Sequence, residues 1–245
     1  MIELRHGNYL DALAGVRCRA VITDPPYGDR THLGHNAMEQ QTRTLTGQAT
    51  RTAISYASFS PADVAAFVAW AVDACDGWIC AMTSDDLAPV YRAEYERHGR
   101  YSFAPVPIIQ PRPRLVGDGP SSWAVYLMVC RPRTAEFKTW GCLPGAYTSA
   151  TEKHGVVAGA KPLGLMRQIV RDYSRPGDLV VDPCAGGATT LLAAAWEGRR
   201  ALGAELDADN HAAALKRIAE TAIPVGGLFD RPAETYQAEL WEGQR

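Results

Sequence analysis

The sequence predicts an α/β protein built on a mostly parallel sheet with one antiparallel hairpin. Strand-like and helix-like segments alternate in the last third of the chain, which favours parallel strands joined by helices. Two apolar strand candidates end at Asp24 and Asp182, and turn residues follow each of them. A Pro- and Gly-rich stretch, PRPRLVGDGP, separates two further strand candidates and predicts the hairpin.

Length and composition limit the classes of protein to consider. A chain of 245 residues can bury a sizeable core, and we expect one domain over residues 1–245. The net charge of -2 gives no basic signature for the whole chain, so contact with a polyanion requires a local patch. The six cysteines form no CxxC pair, which favours a reducing compartment and argues against a zinc site. The first residues, MIELRHGNYLD, have no apolar signal core, so we expect a cytoplasmic protein without a membrane partner.

Hydrophobic periodicity and turn signals predict the elements in order. In the first half we expect strands at 2–5, 20–24 and 77–84, with helices at 9–14, 61–75 and 86–98. Ser60 and Pro61 have the types expected for the start of the second of these helices. In the second half we expect strands at 102–110, 123–130, 178–182 and 201–205, and helices at 163–173, 188–198 and 207–221. Residues 29–58 and 131–160 lack periodicity, and we predict a mobile loop and an irregular segment.

The segment VITDPPYGD at residues 21–29 is the first motif with chemical content. Its apolar run stops at Asp24, and Pro25, Pro26 and Tyr27 follow, where sheet hydrogen bonding is largely lost. An edge strand that uses prolines to stop pairing would give the same pattern.

The segment DLVVDPCAGGATTLLAA at residues 178–194 is the second motif. A strand ends at Asp182, a turn with Gly186 and Gly187 follows, and a helix begins near Thr189. This layout binds nucleoside-containing cofactors at the carboxyl end of a strand, and Glu205, 19 positions after Gly186, lies where ribose hydroxyls are usually held. Taken alone, the motif does not distinguish a nicotinamide dinucleotide from S-adenosylmethionine, and glycine turns of this type also occur as plain strand-to-helix connectors.

Together the two motifs resemble the amino-group DNA methyltransferases of the DPPY type. The catalytic motif comes first and the cofactor motif near the C-terminus, which is similar to the permuted class called β, and the stretch AKPLGLMRQIVRDYSRPGDLVVDP strengthens the resemblance. The resemblance implies a Rossmann-like S-adenosylmethionine-dependent methyltransferase fold with a mostly parallel seven-stranded sheet in permuted order. It also implies double-stranded DNA as partner and a homodimer.

The resemblance assigns the catalytic role to Asp24, Pro25, Pro26 and Tyr27. An exocyclic amine is a poor nucleophile, and two acceptors that hold its hydrogens favour attack on a sulfonium methyl. The Asp24 side chain and the Pro25 carbonyl are the expected acceptors, and the Tyr27 ring is expected to stack on a flipped-out base. No covalent intermediate is needed.

The resemblance likewise implies a set of cofactor-binding residues. Asp182, Gly186, Gly187 and Thr189 are expected along the methionine end, and Glu205 at the ribose. Lys161 is expected near the methionine carboxylate, and the alternative is a solvated charge before a helix. The set is completed by Cys184, a small residue where this family more often has Phe, and by Asn8, where the family usually has Asp. Ala188 replaces the last glycine of the usual turn.

Basic residues of two regions are the expected contacts to nucleic acid. They are Arg30, Arg43, Arg51, Arg112, Arg114, Arg131, Arg133 and Lys138. Each of these is also a common solubilising residue of a loop. Trp140 and Tyr147 are expected either to stack at the opened base pair or to anchor their loop. The lone HxxH at His32 and His35 is not taken as a metal site.

The motifs leave four candidate functions. The first is methylation of adenine N6, which Asp24 favours because the related cytosine enzymes more often carry Ser at that position. The second is methylation of cytosine N4. The third is a non-catalytic DNA- or cofactor-binding subunit of the same fold, and the fourth is a nicotinamide-dependent dehydrogenase, for which no hydride-transfer pattern is present.

Overall fold

The computed structural model describes residues 1–29, 58–109, 123–149 and 160–223. In these ranges the strands are β1 (Ile2–His6), β2 (Cys18–Thr23), β3 (Cys75–Thr83), β4 (Tyr101–Ser102), β5 (Val106–Ile109), β6 (Ala124–Arg131), β7 (Tyr147–Thr148), β8 (Leu179–Asp182) and β9 (Arg200–Glu205). The helices are α1 (Tyr9–Ala12), α2 (Pro61–Ala74), α3 (Ala88–Arg97), α4 (Ala135–Lys138), α5 (Leu163–Tyr173), α6 (Thr189–Trp196) and α7 (Ala208–Glu220). Most of the loop predicted at 29–58 lies outside the described residues.

All strands of the described ranges form one mixed sheet in the order β1-β9-β8-β2-β3-β6-β5-β7, with β4 also paired to β6. The pairs from β1 to β3 are parallel, whereas β6 runs antiparallel to β3 and β5. The predicted α/β class with a parallel sheet and a hairpin is therefore confirmed. In the described ranges the sheet has nine strands instead of seven, because the strand predicted at 102–110 is divided into β4 and β5 and because β7, of two residues, is too short to give a periodic signal.

The order of the sheet places the two motif-bearing strands side by side. β2 pairs with β8 through Ala20 opposite Val180, and β1 pairs with β9 through His6 opposite Glu205. Parallel neighbours end at the same edge of a sheet. The segments that follow β1, β2, β8 and β9 therefore meet at one place, although most of the chain separates them in sequence.

Helices cover both faces of this sheet, and the central strands are buried on both sides. Ile22 and Met82 belong to a buried cluster with α5, while Val21 and Ile79 belong to another with α2 and α3. Alternate residues of one strand point to opposite faces, so strands covered on both faces read as nearly continuous apolar runs. This arrangement explains why the central strands were recognisable in the sequence.

The segment predicted as irregular, 131–160, is partly regular where it is described. α4 lies in it, and β7 pairs in parallel with β5. The single strand predicted at 102–110 is likewise divided into β4 and β5, with Pro105 between them. Among the described residues, no helix combines the length and apolar character that crossing a bilayer requires.

Candidate active site

A cavity of about 640 Å³ lies at the carboxyl ends of four neighbouring strands, β1 at the edge of the sheet and then β9, β8 and β2. Its lining includes ten residues predicted from the two motifs and their flanks: Asn8, Asp24, Pro26, Lys161, Asp182, Cys184, Gly186, Gly187, Thr189 and Glu205. Pro25 and Tyr27 are not part of the lining. The structure thus brings two segments to one shared cavity. The first is the DPPY exit, residues 24–27, where the chain leaves β2, and the second is the glycine turn, which contains Gly186 and Gly187 and follows β8.

The exit from β2 is held by contacts around Asp24. Tyr27 donates a hydrogen bond from its hydroxyl to Asp24 Oδ1 at 2.8 Å, and Phe59 donates its backbone N–H to the Tyr27 carbonyl at 3.0 Å. Pro25 is buried and Pro26 lines the cavity. The Asp24 side chain is 24% exposed, so it is accessible from the cavity while its orientation is fixed.

Lys161 lines the cavity together with the glycine turn, and its printed contacts are to the residues after β2. Its ammonium donates to Asp24 Oδ2 and lies 5.1 Å from the centroid of the Tyr27 ring. The side chain is 18% exposed. Lys161 therefore contacts the predicted catalytic group, Asp24 and Tyr27.

Asp182 ends β8 and is almost completely buried beneath the turn. Its Oδ1 accepts hydrogen bonds from the Thr23 hydroxyl at 2.6 Å and from the Cys184 backbone N–H at 3.1 Å. Burial raises the pKa of Asp182 to about 6, although the bonds from Thr190, Thr23 and Cys184 oppose that rise. This carboxyl group therefore ionises within two pH units of neutrality.

The turn after β8 requires unusual backbone conformations. Gly186 has φ +49° and Ala188 has φ +60°, and Ala188 is the one residue other than glycine with positive φ in the described ranges. A left-handed conformation costs an L-residue about 1 kcal/mol and glycine almost nothing. Ala188 therefore carries a conformational cost that a glycine at this position would avoid.

Glu205, at the end of β9, holds the turn in place. Its Oε2 accepts the Gly186 N–H at 2.7 Å and its Oε1 accepts the Asp207 N–H at 2.9 Å. Each carboxylate oxygen has a second lone pair. Glu205 can therefore still accept one hydroxyl group on each oxygen, as its predicted role requires.

Asn8 and Cys184 have clear local contacts. Asn8 caps α1 by accepting the Leu10 N–H on Oδ1 at 3.0 Å, so it performs the capping function that Asp also performs. Burial, together with the nearby carboxylates of Asp182 and Glu205, raises the pKa of the Cys184 thiol well above its usual range. The thiol is therefore neutral, which agrees with a role in packing and not as a nucleophile.

Other residues of the lining were missed in the sequence, among them Tyr9, Leu10, Phe59, Asp63, Ala66, Asp207 and Asn210. Asp207 and Asn210 could have been found because they open the helix directly after Glu205. Phe59 precedes α2 and Asp63 lies in its first turn, and α2 is positioned by its packing against β3 and α3. No pattern of spacing in the sequence reveals that packing.

Three of the predicted contacts to nucleic acid, Arg131, Arg133 and Lys138, belong to the described residues, and the cavity lining does not include them. Arg131 lies over the Tyr101 ring at 4.7 Å, and Arg133 donates to the carbonyls of Gly99 and Arg100 at 3.3 Å. β6 runs antiparallel to β3, with Tyr126 opposite Thr83 and Cys130 opposite Ile79. The last residues of β6 therefore point to the amino edge of the parallel strands, away from the cavity. Lys138 ends α4, whose Phe137 packs against Trp78 near the same edge. Arg30, Arg43, Arg51, Arg112 and Arg114 lie outside the described residues.

Trp140 and Tyr147 anchor their segment to the core. Trp140 donates from Nε1 to the Asp172 carbonyl at 2.8 Å, and Tyr147 donates to Asp172 Oδ2 at 2.6 Å. Burial also raises the pKa of Asp172. Of the two alternatives considered for these aromatic residues, the structure supports anchoring. The described ranges contain no cluster of three or more His, Cys, Asp or Glu side chains that could hold a metal ion.

This fold and site define a class of protein, and comparisons with known proteins agree on it. Residues 121–216 match the family model N6_N4_Mtase, described as DNA methylase. A segment of 64 residues is 42% identical to the type II methyltransferase M.MthZI of Methanothermobacter thermautotrophicus and covers 26% of this chain and 18% of that protein. A segment of 58 residues is 38% identical to the DNA adenine methyltransferase YhdJ of Escherichia coli and covers 24% and 20%. The aligned segments thus span about a fifth of these relatives' own lengths.

Solved structures agree over almost the whole chain. The complex of M1.HpyAVI with SAM superposes with a TM-score of 0.63 at 18% identity, covering 89% of this chain and 99% of that one. The cytosine-N4-specific PvuII DNA methyltransferase gives a TM-score of 0.61 at 15% identity, covering 98% and 90%. At such low identity these neighbours show the shared fold. The family match and the named relatives confirm the predicted resemblance to the amino-group DNA methyltransferases.

Proposed function

We propose that this chain is an S-adenosylmethionine-dependent DNA methyltransferase that methylates adenine N6 of a flipped-out base. One observation carries the proposal. A single cavity is lined by Asp24 and Pro26 from the DPPY exit and by Gly186 and Glu205 from the glycine turn and the next strand. An acceptor for an amine and a site for a nucleoside-containing donor therefore open into the same space.

The residues of the cavity fit S-adenosylmethionine. The volume of about 640 Å³ lies in the range of small-molecule sites, and a carboxylate lies on each side of the glycine turn, Asp182 and Glu205. In the proposal Asp182, Gly186 and Thr189 bind the methionine end, and the free lone pairs of Glu205 accept the ribose hydroxyls. When bound, the cofactor supplies an electrophilic methyl group on a sulfonium.

The DPPY exit supports transfer to an exocyclic amine. The carboxylate of Asp24 and the carbonyl of Pro25 are the proposed acceptors for the two amine hydrogens, and both stabilise the positive charge that develops on the nitrogen. The bond from Tyr27 to Asp24 fixes the carboxylate before a base arrives. A base paired in a duplex could not reach this cavity, so the proposal requires base flipping.

Two observations support adenine over cytosine. Position 24 carries Asp, where the cytosine enzymes more often carry Ser, and one relative, 38% identical over 58 residues, is named a DNA adenine methyltransferase. The second candidate is cytosine N4, because a cytosine-N4-specific enzyme shares the fold. The two exocyclic amines have similar geometry, so the fold alone does not distinguish them.

Nucleoside mass spectrometry after incubation of duplex DNA with the protein and S-adenosylmethionine tests the proposal. We expect N6-methyladenine, and sequencing of modified bases in DNA from expressing cells would then give the recognition site. N4-methylcytosine without N6-methyladenine would move the proposal to the second candidate. Preferred methylation of RNA in a competition assay would contradict the choice of DNA.

The variant D24A tests whether Asp24 carries the chemistry. Since it removes one of the two proposed acceptors, we expect the rate of methyl transfer to fall about 100- to 1000-fold. Binding of S-adenosylhomocysteine, measured by calorimetry, should stay nearly unchanged. D73A is the matched control because the Asp73 side chain is 77% exposed near the amino edge of the sheet. A wild type as inactive as D24A would favour the non-catalytic subunit, and a D24A protein as active as the wild type would contradict the role of Asp24.

A further inference from the structure

Lys161 is the cation nearest the proposed acceptor in the described part of the site. Both oxygens of Asp24 accept hydrogen bonds from inside the chain, Oδ1 from Tyr27 at 2.8 Å and Oδ2 from Lys161. The Lys161 ammonium also lies 5.1 Å from the centroid of the Tyr27 ring. The three side chains therefore form one contact group, which we call the Asp24 cluster.

The backbone next to Lys161 is held in place by the start of α5. Pro162 follows with an extended conformation, φ −57° and ψ 136°, and is the N-cap of α5. α5 buries Leu165, Met166, Ile169, Val170 and Tyr173, which fixes its position on the sheet. A lysine with a free stem would lose about 2 kcal/mol of side-chain entropy on being held in one geometry. The anchored start of α5 limits how far its ammonium can move from Asp24.

The two donors constrain the carboxylate without saturating it. Each oxygen of an ionised carboxylate accepts two hydrogen bonds, so each Asp24 oxygen keeps one lone pair. With both oxygens held, the carboxylate plane cannot rotate freely about its terminal bond. The amine of a base would meet an acceptor that already has its working orientation, and errors of about 1 Å in such orientation can cost about 100-fold in rate.

We propose that Lys161 is a positioning residue for Asp24, and that it acts on methyl transfer and not on cofactor affinity. The inference rests on the proposed function. It differs from the role predicted from the sequence, in which Lys161 binds the cofactor carboxylate. The ammonium cannot serve both partners fully, since its contact with Asp24 directs it to the DPPY exit.

The variants K161M, K161Q and K161R separate these roles. K161M keeps the length of the side chain and removes charge and donors, and we expect kcat for methyl transfer to fall about 100-fold. The Kd for S-adenosylhomocysteine and the KM for DNA should change by less than about threefold. K161R retains a charged donor and should recover at least about tenfold over K161M. K216M is the matched control, because the Lys216 side chain is 76% exposed on α7.

Each outcome has a defined meaning. A kcat for K161M equal to that of wild type overturns the inference, and so does a weakened affinity for S-adenosylhomocysteine with unchanged kcat, which would restore the cofactor role. If K161M does not fold, K161Q replaces it, and a K161Q kcat equal to that of wild type is equally contradictory. If the wild type methylates no base, the proposed function fails first and the inference falls with it.

Discussion

Asp182 shows at the scale of a single residue how burial controls charge in this site. The side chain is 2% exposed, and burial raises its pKa from 3.8 to about 6. The bonds from Thr23 and Cys184 limit this rise because they favour the ionised form. Burial makes the ionised form of Asp182 costly, but it also leaves the carboxylate desolvated and held in position. Such a carboxylate is well suited to bind a cationic group.

The raised pKa of Asp182 predicts the pH dependence of stability. The native state binds the proton more tightly than the unfolded state, so the free energy of unfolding should fall as the pH rises from about 4 to about 6. D182N, which keeps an acceptor for Thr23, has no such ionisation. We expect it to gain up to about 3 kcal/mol relative to wild type between pH 4 and pH 7, measured by urea unfolding.

D73N provides the matched control for this series because the Asp73 side chain is 77% exposed. Its unfolding curves should follow those of the wild type at every pH. Wild type and D182N that differ by the same free energy at pH 4 and pH 7 would contradict the raised pKa of Asp182.

Residues of the site were predictable where position in a motif determines position in space. Asp24, Asp182 and Glu205 each end a parallel strand or directly follow one, so they had to meet at one edge. The contact of Lys161 was not predictable in this way. Its partner depends on the reach of a long side chain from the start of α5, which the spacing of the sequence does not give.

At the scale of elements, the parallel pairing of β2 with β3 has an irregular register. Cys18 pairs with Cys75 but Ala20 pairs with Trp78, so Asp76 and Gly77 together face Arg19. The backbone is so close that a Cβ on Gly77 would lie 1.9 Å from the Arg19 carbonyl oxygen. The buried Arg100 donates to the Gly77 carbonyl at 2.8 Å and supports this bulge from one side.

G77A should therefore destabilise the protein strongly. The carbonyl that its methyl group meets belongs to the backbone of a central strand and cannot move aside as a side chain could. We expect a loss of about 3 kcal/mol in the free energy of unfolding by urea. G145A is the control, since a Cβ there meets nothing within 4 Å, and its change should stay within about 0.5 kcal/mol. A G77A protein as stable as G145A would disprove the close approach.

Elements with a full apolar face were predictable, and short ones were not. The helix predicted at 163–173 matches α5, which buries five residues on one face. β4, β7 and α4 have two, two and four residues, and their pairing or packing partners lie far along the chain. Tertiary contacts stabilise such short elements, so local periodicity cannot reveal them.

At the scale of the whole molecule, the sheet interleaves distant parts of the chain. β8 and β9 lie between β1 and β2, so the N-terminal strands are separated by C-terminal ones. The parallel order of the motif strands followed from the sequence, but the edge on which each basic residue lies did not. Arg131 and Arg133 follow the predicted hairpin, yet β6 runs antiparallel to β3 and carries them to the amino edge.

Interleaving also predicts how the molecule unfolds. Because neither the region of β1 to β3 nor the region of β8 and β9 can complete its sheet alone, we expect one cooperative urea transition. Tryptophan fluorescence and far-ultraviolet circular dichroism should give the same midpoint. Two separate transitions would show that the two regions fold independently.

A ligand of the shared cavity should stabilise both regions together. In the proposed function S-adenosylhomocysteine contacts residues that follow β8 and β9, and at 100 times its Kd it should raise the free energy of unfolding by about 2.7 kcal/mol. The increase in the free energy of unfolding should be equal by fluorescence and by circular dichroism, because the strands that surround the cavity belong to one sheet. Nicotinamide dinucleotide at the same concentration serves as the control and should leave the transition unchanged. Stabilisation by the dinucleotide alone would instead support the dehydrogenase, since the glycine turn would then bind a dinucleotide and not the methyl donor's product.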